Sequence, residues 1–331
     1  MSTDQPITAI AAADVRVYYP GVSIIIAARN AAPTLTACLA SLRTLEYPDT
    51  EIIVVDDGST DDTVAVASGA GVRIIRADGR GPSFARNLGV RECSNEIVAF
   101  TDADCVVPRH WLKTLVDALR TSEAGAVGGP QRNVFPAGAT DDARDLDAFF
   151  ALASVIAEYT RGDDTARDVD HNASCNVVYL KHVFDEAGGF AEGLFPGEDV
   201  DLDLRVRRLG YRCHYVPGAW VEHHRPGTRE WFARMMRRYG RAQREIVERH
   251  GRFRAVHYVP MALALATVAQ VLLIPRRTRM WMLLADAALG IGALGLLAKK
   301  VPPYRWVAVM RYATIALREW MVGYGEGLKR P

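Results

Sequence analysis

Glu96-Ile97-Val98-Ala99-Phe100-Thr101-Asp102-Ala103-Asp104 joins a short apolar run to two carboxylates spaced by one small residue. The run is β-branched or aromatic and has the length of a buried strand. Three comparable runs precede it: Val22 to Ala27, Ile52 to Val55 and Val72 to Arg76. Amphipathic stretches, Thr34 to Leu45, Asp61 to Ala67 and Pro82 to Arg91, separate the runs, and Pro108 to Arg120 follows the acids. Short buried strands alternating with helices predict an α/β fold built on a parallel sheet. Pro82 and Pro108 are expected in first helical turns, which tolerate proline.

Ligands of open α/β sheets bind beyond the carboxyl ends of the strands, where Asp102 and Asp104 fall. Two carboxylates there suit a hard divalent cation, Mg²⁺ or Mn²⁺, that also takes diphosphate oxygens. Asp-x-Asp alone is common in loops, so its neighbours decide. Val54-Val55-Asp56-Asp57-Gly58-Ser59-Thr60-Asp61-Asp62 is an acidic turn after another strand. It suits hydrogen bonds from a base or ribose, or else caps the next helix through Ser59 or Thr60. Gly81-Pro82-Ser83-Phe84-Ala85-Arg86-Asn87 opens a helix with an arginine near its start, placed to pair with phosphate or simply to face solvent.

Downstream, Gly188-Gly189-Phe190 leads to Phe195-Pro196-Gly197-Glu198-Asp199-Val200-Asp201-Leu202-Asp203. Acids at a helix start are favoured by its dipole whatever their role. That accounts for some of them but not for the crowding of four, and one facing a donor sugar would take the proton of an attacking hydroxyl. Val221-Glu222-His223-His224 ends a strand-like run, and either imidazole is a candidate to complete a metal shell with Asp104.

The chain has 331 residues, 49% hydrophobic and 24% charged, enough to bury a sizeable core. A net charge of +1 gives no electrostatic case for a nucleic-acid partner. Five cysteines, scattered and without a CxxC pair, suggest neither a disulfide framework nor a zinc site, and favour a reducing cytoplasm. Residues 1–20 read as an N-terminal extension without a secretory signal pattern, and 21–228 as the α/β domain, whose less regular half begins near Gly129. Residues 229–256 form a basic amphipathic helix, with Trp231, Phe232, Met235, Met236 and Tyr239 among arginines. Such a helix suits an anionic lipid surface, or packs its apolar stripe on the domain.

Residues 257–331 read as hydrophobic, membrane-associated helices. His257 to Ile274 and Met280 to Ala298 are each about long enough to span or nearly span a bilayer, divided by Pro275-Arg276-Arg277-Thr278-Arg279. Asp286 and the flanking arginines weigh against a simple hairpin, leaving a spanning pair, a re-entrant or interfacial pair, or a buried helical pair open. The aromatic and basic tail from Tyr304 to Tyr324 suits an interface.

From Val22 to about Gly240 the order of motifs resembles the family-2 glycosyltransferases of the GT-A fold. The resemblance rests on Val22-Ser23-Ile24-Ile25-Ile26-Ala27-Ala28-Arg29-Asn30, Asp56-Asp57-Gly58-Ser59, Ala85-Arg86-Asn87, Asp102-Ala103-Asp104, Gly188-Gly189-Phe190 and Glu198-Asp199. It implies a Rossmann-like mixed sheet flanked by helices and an inverting, metal-dependent sugar transfer from a nucleotide-sugar, most often a UDP-sugar. By resemblance, Ala27 and Arg29 lie by the nucleotide, Asp57 contacts the base, and Arg86 sits near nucleotide or diphosphate. Asp102 approaches ribose and metal, Asp104 binds the metal, and Asp199, with Glu198 beside it, is the catalytic base. Asn176, within Asn172-Ala173-Ser174-Cys175-Asn176, falls where relatives line the donor or acceptor pocket.

No clear QxxRW signature of processive synthases is found, so transfer of one sugar is favoured over chain extension. The apolar segments point to a lipid-linked or glycan acceptor at the cytoplasmic face of the cell membrane. Ala27-Ala28-Arg29-Asn30 is not the Gly-rich loop of a sugar-nucleotide pyrophosphorylase, and the intact acids argue against a membrane-bound protein that only binds nucleotide-sugar. The sequence does not fix the oligomeric state.

Overall fold

The computed structural model describes residues 19–135, 141–153, 165–253, 255–258 and 306–326. The first half runs β1 (Val22–Ala28), α1 (Ala32–Leu42), β2 (Thr50–Asp56), α2 (Thr63–Gly69), β3 (Arg73–Arg76), α3 (Pro82–Glu92) and β4 (Ile97–Thr101). It continues through β5 (Cys105–Val106), α4 (Trp111–Ser122), β6 (Ala126–Gly128), β7 (Gln131–Val134) and α5 (Asp141–Ala153). Then come β8 (Arg167–Asp168), β9 (Asn176–Leu180), α6 (Lys181–Glu186), α7 (Glu198–Arg208), β10 (Cys213–Tyr215) and β11 (Val221–His224). Two long helices, α8 (Arg229–His250) and α9 (Trp306–Glu326), follow, with a short 3₁₀ turn at Ala255–Tyr258 between them.

The main sheet has the order β3-β2-β1-β4-β9-β6-β10-β8. Its first four strands are parallel, whereas β9 runs antiparallel to both β4 and β6 and β8 antiparallel to β10, so the sheet is mixed. Strands β1 and β4 are covered on both faces, which is why they read as unbroken apolar runs. Ile24 and Ile26 point into one core with Leu35 and Trp111, and Ile25 into the other with Phe100, Tyr179 and Phe184. Edge strand β3 instead carries arginines at its exposed ends. A smaller sheet, β5-β11-β7, lies beside the point where the strand direction changes.

The predicted strands are found with shifts of a residue or two, and two local expectations change. Pro108 precedes its helix instead of opening it: the Pro108 carbonyl accepts from Trp111 N at 2.9 Å in the turn leading into α4. Neither Ser59 nor Thr60 caps α2, which starts at Thr63. Ser59 Oγ accepts from Asn30 N at 2.9 Å and Thr60 N donates to Asn30 Oδ1 at 2.8 Å, so both tie the acidic turn to the end of β1. The irregular second half contains strands of only two to five residues, too short to show a period.

The apolar stripe of α8 packs against protein. Phe232 meets Leu146 of α5 and Tyr312 of α9, and Ala242 and Ile246 meet Leu194 and Val200. The Thr228 side chain accepts from Trp231 N and caps the helix start. Helices α8 and α9 cross with their backbones in contact: a methyl group at Gly240 would collide with the Trp320 carbonyl, and one at Gly323 with that of Arg237. Arg237 and Arg241 both pair with Glu326 across the crossing. Of the tail aromatics, Tyr312 and Tyr324 are buried, Tyr312 donating to Asp142 Oδ1 at 2.7 Å. Among the described residues no helix is long and apolar enough to cross a membrane. The apolar stretches His257 to Ile274 and Met280 to Ala298 lie outside the described residues, apart from His257 and Tyr258 in the 3₁₀ turn.

Candidate functional site

Parallel pairing of β2, β1 and β4 aligns their carboxyl ends on one edge of the sheet. Asp57 follows β2 and Asp102 follows β4, two strand spacings or about 10 Å apart across β1. Asp57 is buried; its backbone N–H donates to Ala28 O and its Oδ2 accepts from Gly81 N at 2.9 Å, at the start of α3. Gly58, at φ 74°, makes the turn that aims this carboxylate. The Oδ1 atom of Asp57 is buried without a hydrogen-bond partner, an unusual condition that a ligand donor would relieve. Ala27 is half-buried at the end of β1, and Arg29 is exposed beside it.

Arg86 is enclosed between the two acidic motifs and does not face solvent. It is 2% exposed, donating through Nη2 to Asp102 Oδ1 at 2.6 Å and through Nη1 to Glu198 Oε1 at 2.9 Å. The guanidinium therefore pins the turn after β4 to the start of α7, and its position in the first turns of α3 makes it a bridge between the two acidic motifs. Removing one partner of a buried ion pair leaves an uncompensated charge. Arg86→Met is expected to lower stability by about 3–5 kcal/mol, measured by urea denaturation against the wild type.

The four acids of α7 separate by burial. Burial raises Glu198 to about 7, and neighbouring Asp199 adds to the rise, while Arg86 and the Ser174 hydroxyl oppose it. Asp201 is held by Arg205 and, at 2.6 Å, by His250 Nε2 of α8. Asp203 accepts from Tyr179 Oη at 2.6 Å and from Asn172 N at 2.7 Å. Asp199 alone of the four is only half-buried; its Oδ1 accepts from Val200 N at 2.8 Å and its Oδ2 from Ser174 N at 3.3 Å.

Burial pushes Asp203 up to about 7 despite its hydrogen bonds from Tyr179 and Asn172. A carboxyl whose folded value lies above its unfolded one, about 3.9, stabilises the fold fully below the unfolded value. That contribution is lost as pH rises through about 7. Asp203→Asn is thus expected to flatten the decline in stability between about pH 4 and 7, read by chemical denaturation across that range. An unchanged slope would show that Asp203 titrates normally.

Asp104 and His223 meet at 3.2 Å, Oδ1 to Nε2. Burial works against the Asp104 carboxylate, yet the His223 ring, with Arg225, holds it below the usual range. Burial and Arg225 likewise oppose a cationic His223, but Asp104 lifts it to about 9. One ligand atom from each of Asp102, Asp104 and His223 lies within 4.8 Å of the others. Two carboxylates and an imidazole fit a divalent cation of the hard to borderline kind.

His224 stands apart from this set. Successive residues of β11 face opposite sides, and the ring of His224 is turned to the face away from the acids, its Nε2 buried without a partner. Its backbone N–H nevertheless donates to Asp104 O at 2.9 Å and helps fix the turn.

Asn176 is fully enclosed and does not line an open pocket. Its Oδ1 accepts from Trp111 Nε1 at 2.7 Å, and its Nδ2 donates to Pro130 O and Ala219 O at 3.0 and 2.7 Å. It joins the two sheets from within the core. Three other side chains join the site, Ser174 and Cys175 from the segment before Asn176 and Gln131 from a stretch without a motif. Ser174 donates to Glu198 Oε1 at 3.0 Å, Gln131 Oε1 lies 3.0 Å from His223 Nδ1, and Cys175 Sγ lies 3.8 Å from the same nitrogen. Only the register of β7 on β11 reveals the Gln131 contact.

Residues 23–188, half of the chain, match Glycosyl transferase family 2. The chain is 32% identical over 241 residues to a pre-mycofactocin glycosyltransferase of Mycobacterium tuberculosis, covering 69% of this chain and 48% of that protein. It is 30% identical over 205 residues to glycosyltransferase AglE of Haloferax volcanii, covering 60% and 64%. The chain thus spans about half to two thirds of the length of these curated relatives. Among solved structures, it resembles a mannosyltransferase of Pyrobaculum calidifontis in complex with GDP-Man and Mn²⁺. The TM-score is 0.65 at 20% identity, over 95% of this chain and 88% of that one. TarS of S. aureus, in complex with UDP-GlcNAc, aligns with a TM-score of 0.51 at 16% identity, over 92% and 91%. At these identities the structural likeness establishes the GT-A type of fold.

Proposed function

The chain belongs to glycosyl transferase family 2, and from that premise we propose that it transfers one sugar, with inversion, from a nucleotide-sugar to a lipid-linked or glycan acceptor. The observation that carries this reading is a single connected set of side chains. Asp102, Asp104 and His223 converge after β4, and Arg86 ties them to the start of α7, where Asp199 lies. An enzyme that must hold a diphosphate at one side of a sugar and an incoming hydroxyl at the other needs such a set.

Asp57, with its partnerless Oδ1, receives a base N–H, and Ala27 and Arg29 flank the nucleotide. Asp102 serves the ribose and, with Asp104 and His223, holds the divalent cation. When bound, that cation offsets charge on the leaving diphosphate. Because an imidazole joins the carboxylates, Mn²⁺ is favoured over Mg²⁺. Asp199 removes the proton from the acceptor hydroxyl as its oxygen bonds to the anomeric carbon. The bond to the diphosphate breaks and its electron pair leaves with the nucleotide. Glu198, enclosed with Arg86 and Ser174, keeps Asp199 and Asp102 in register.

UDP-sugar is the donor the family resemblance implies, with GDP-sugar the second choice; the two solved neighbours hold one of each. We place the reaction at the cytoplasmic face of the cell membrane, a reading supported by the apolar composition of residues 257–298. The test is a screen of radiolabelled nucleotide-sugars with membrane extract and Mn²⁺ or Mg²⁺. Label in an organic-extractable product is expected. Label confined to water-soluble product would count against the lipid acceptor, and no nucleoside diphosphate release with any donor would count against transfer.

A further inference from the structure

The ring of His223 has a second set of neighbours on the edge facing away from Asp104. Its Nδ1 lies 3.8 Å from Cys175 Sγ and 3.0 Å from Gln131 Oε1. Cys105 joins this set, its Sγ also 4.0 Å from Asp104 Oδ1: one ligand atom from each of Cys105, Cys175 and His223 lies within 4.8 Å of the others, and all three residues are buried. The cysteines, distant in sequence, meet because β5 pairs with β11 while the turn before β9 passes alongside. Ligands around a tetrahedral zinc with bonds of roughly 2.3 Å stand about 3.8 Å apart. The group therefore needs only small inward movements to enclose an ion.

We propose that Cys105, Cys175 and His223 Nδ1 form a binding site for Zn²⁺, and that filling it excludes the divalent cation held at His223 Nε2. Thiolates and imidazole select a softer ion than the carboxylates across the ring. Binding releases the protons still held by the two thiols and the extra proton that Asp104 favours on His223, so one Zn²⁺ with two thiolates and a neutral imidazole leaves the buried site without net charge. Gln131 Oε1 is a fourth ligand within reach of the same ring nitrogen.

The exclusion follows from the tautomers of one ring. Neutral imidazole has one proton and one free lone pair. With a cation at Nε2, the proton sits on Nδ1 and is donated to Gln131 Oε1. With Zn²⁺ at Nδ1, the proton moves to Nε2 and is donated to Asp104 Oδ1. Occupying both nitrogens would require the imidazolate. The Zn²⁺ site stands on its own geometry, whereas the exclusion rests on the cation role proposed above for Asp102, Asp104 and His223.

The experiment uses the full chain, reduced and metal-free, with Co²⁺ as a spectroscopic probe for Zn²⁺. A thiolate-to-cobalt charge-transfer band is expected, erased by one equivalent of Zn²⁺ and absent from the Cys105→Ala/Cys175→Ala double variant. In parallel, electron paramagnetic resonance follows bound Mn²⁺. One equivalent of Zn²⁺ should free the Mn²⁺ from the wild type and leave it bound in the double variant. Absence of the thiolate band overturns the Zn²⁺ site. Equal release of Mn²⁺ from both proteins places Zn²⁺ at the carboxylates and overturns the exclusion, as does retention of Mn²⁺ by Zn²⁺-loaded wild type. If the double variant does not fold, release of more than one proton per Zn²⁺ in wild-type calorimetry replaces it, and release of one or none, as binding by the ring and carboxylates alone would give, overturns the site. A chain that shows the cobalt band but binds no Mn²⁺ keeps the Zn²⁺ site and refutes the cation role of the acids.

Discussion

Asp199→Asn is expected to lower turnover by roughly 10²–10⁴-fold, the range spanned by loss of a general base, while donor binding is retained. The substitution keeps the shape at the start of α7 and removes the charge and the capacity to take a proton, at the cost of one of the two backbone N–H contacts. Asp199 is favoured over Glu198 on physical grounds. Glu198 is 2% exposed and committed to Arg86 at 2.9 Å and to the Ser174 hydroxyl at 3.0 Å, so no acceptor reaches it without breaking those contacts. Asp199 is half-open and held from behind by backbone N–H groups. Glu198→Gln should accordingly weaken the Arg86 bridge and lower stability, with a smaller effect on turnover than Asp199→Asn. The reverse ranking, read from kcat together with denaturation midpoints, would make Glu198 the base.

Asp104→Ala is expected to remove cation-dependent transfer, a loss of at least about a thousandfold, or roughly 4 kcal/mol of barrier. Nucleotide binding should weaken in Mn²⁺ but little in its absence. The side chain behind His223 has its own expected effect. Gln131 Oε1 lies 3.0 Å from His223 Nδ1 and also accepts from Arg225, so it favours the tautomer whose Nε2 lone pair faces Asp104. Gln131→Ala should raise the Mn²⁺ concentration needed for activity by about 10–100-fold, with saturated turnover preserved. A Gln131→Ala enzyme that loses turnover at saturating Mn²⁺ would assign this residue to the reaction itself.

The parallel half of the fold was legible because β1, β2 and β4 are enclosed on both faces and so appear as continuous apolar runs between helices. The acids at their ends were legible for the same reason: once the strands are assigned, Asp57, Asp102 and Asp104 fall on one edge. Side-chain direction was not. Arg86 read as an arginine at a helix start placed to pair with phosphate or to face solvent, and only the arrival of α7 against α3 shows it as a buried bridge. Asn176 carried no sign that Trp111, Pro130 and Ala219 would use up its amide.

The choice between His223 and His224 required the register of β11 on β5 and β7. An amphipathic stripe tells that a face is covered but not by what, and the partner of α8 proved to be α9, brought close by Gly240 and Gly323. The meeting of Cys105 with Cys175 was equally beyond motif spacing, since it depends on pairing in a second sheet.

The central claim is that one divalent cation and one nucleotide-sugar occupy the edge shared by Asp57, Asp102, Asp104, His223 and Asp199. Crystals of the protein grown with Mn²⁺ and a nucleoside diphosphate, examined by anomalous scattering at the manganese edge, test it most directly. The account predicts a single strong manganese peak coordinated by Asp102, Asp104 and His223, with the base hydrogen-bonded to Asp57 Oδ1. A manganese peak away from these three residues, or a nucleotide bound elsewhere on the chain, would contradict it.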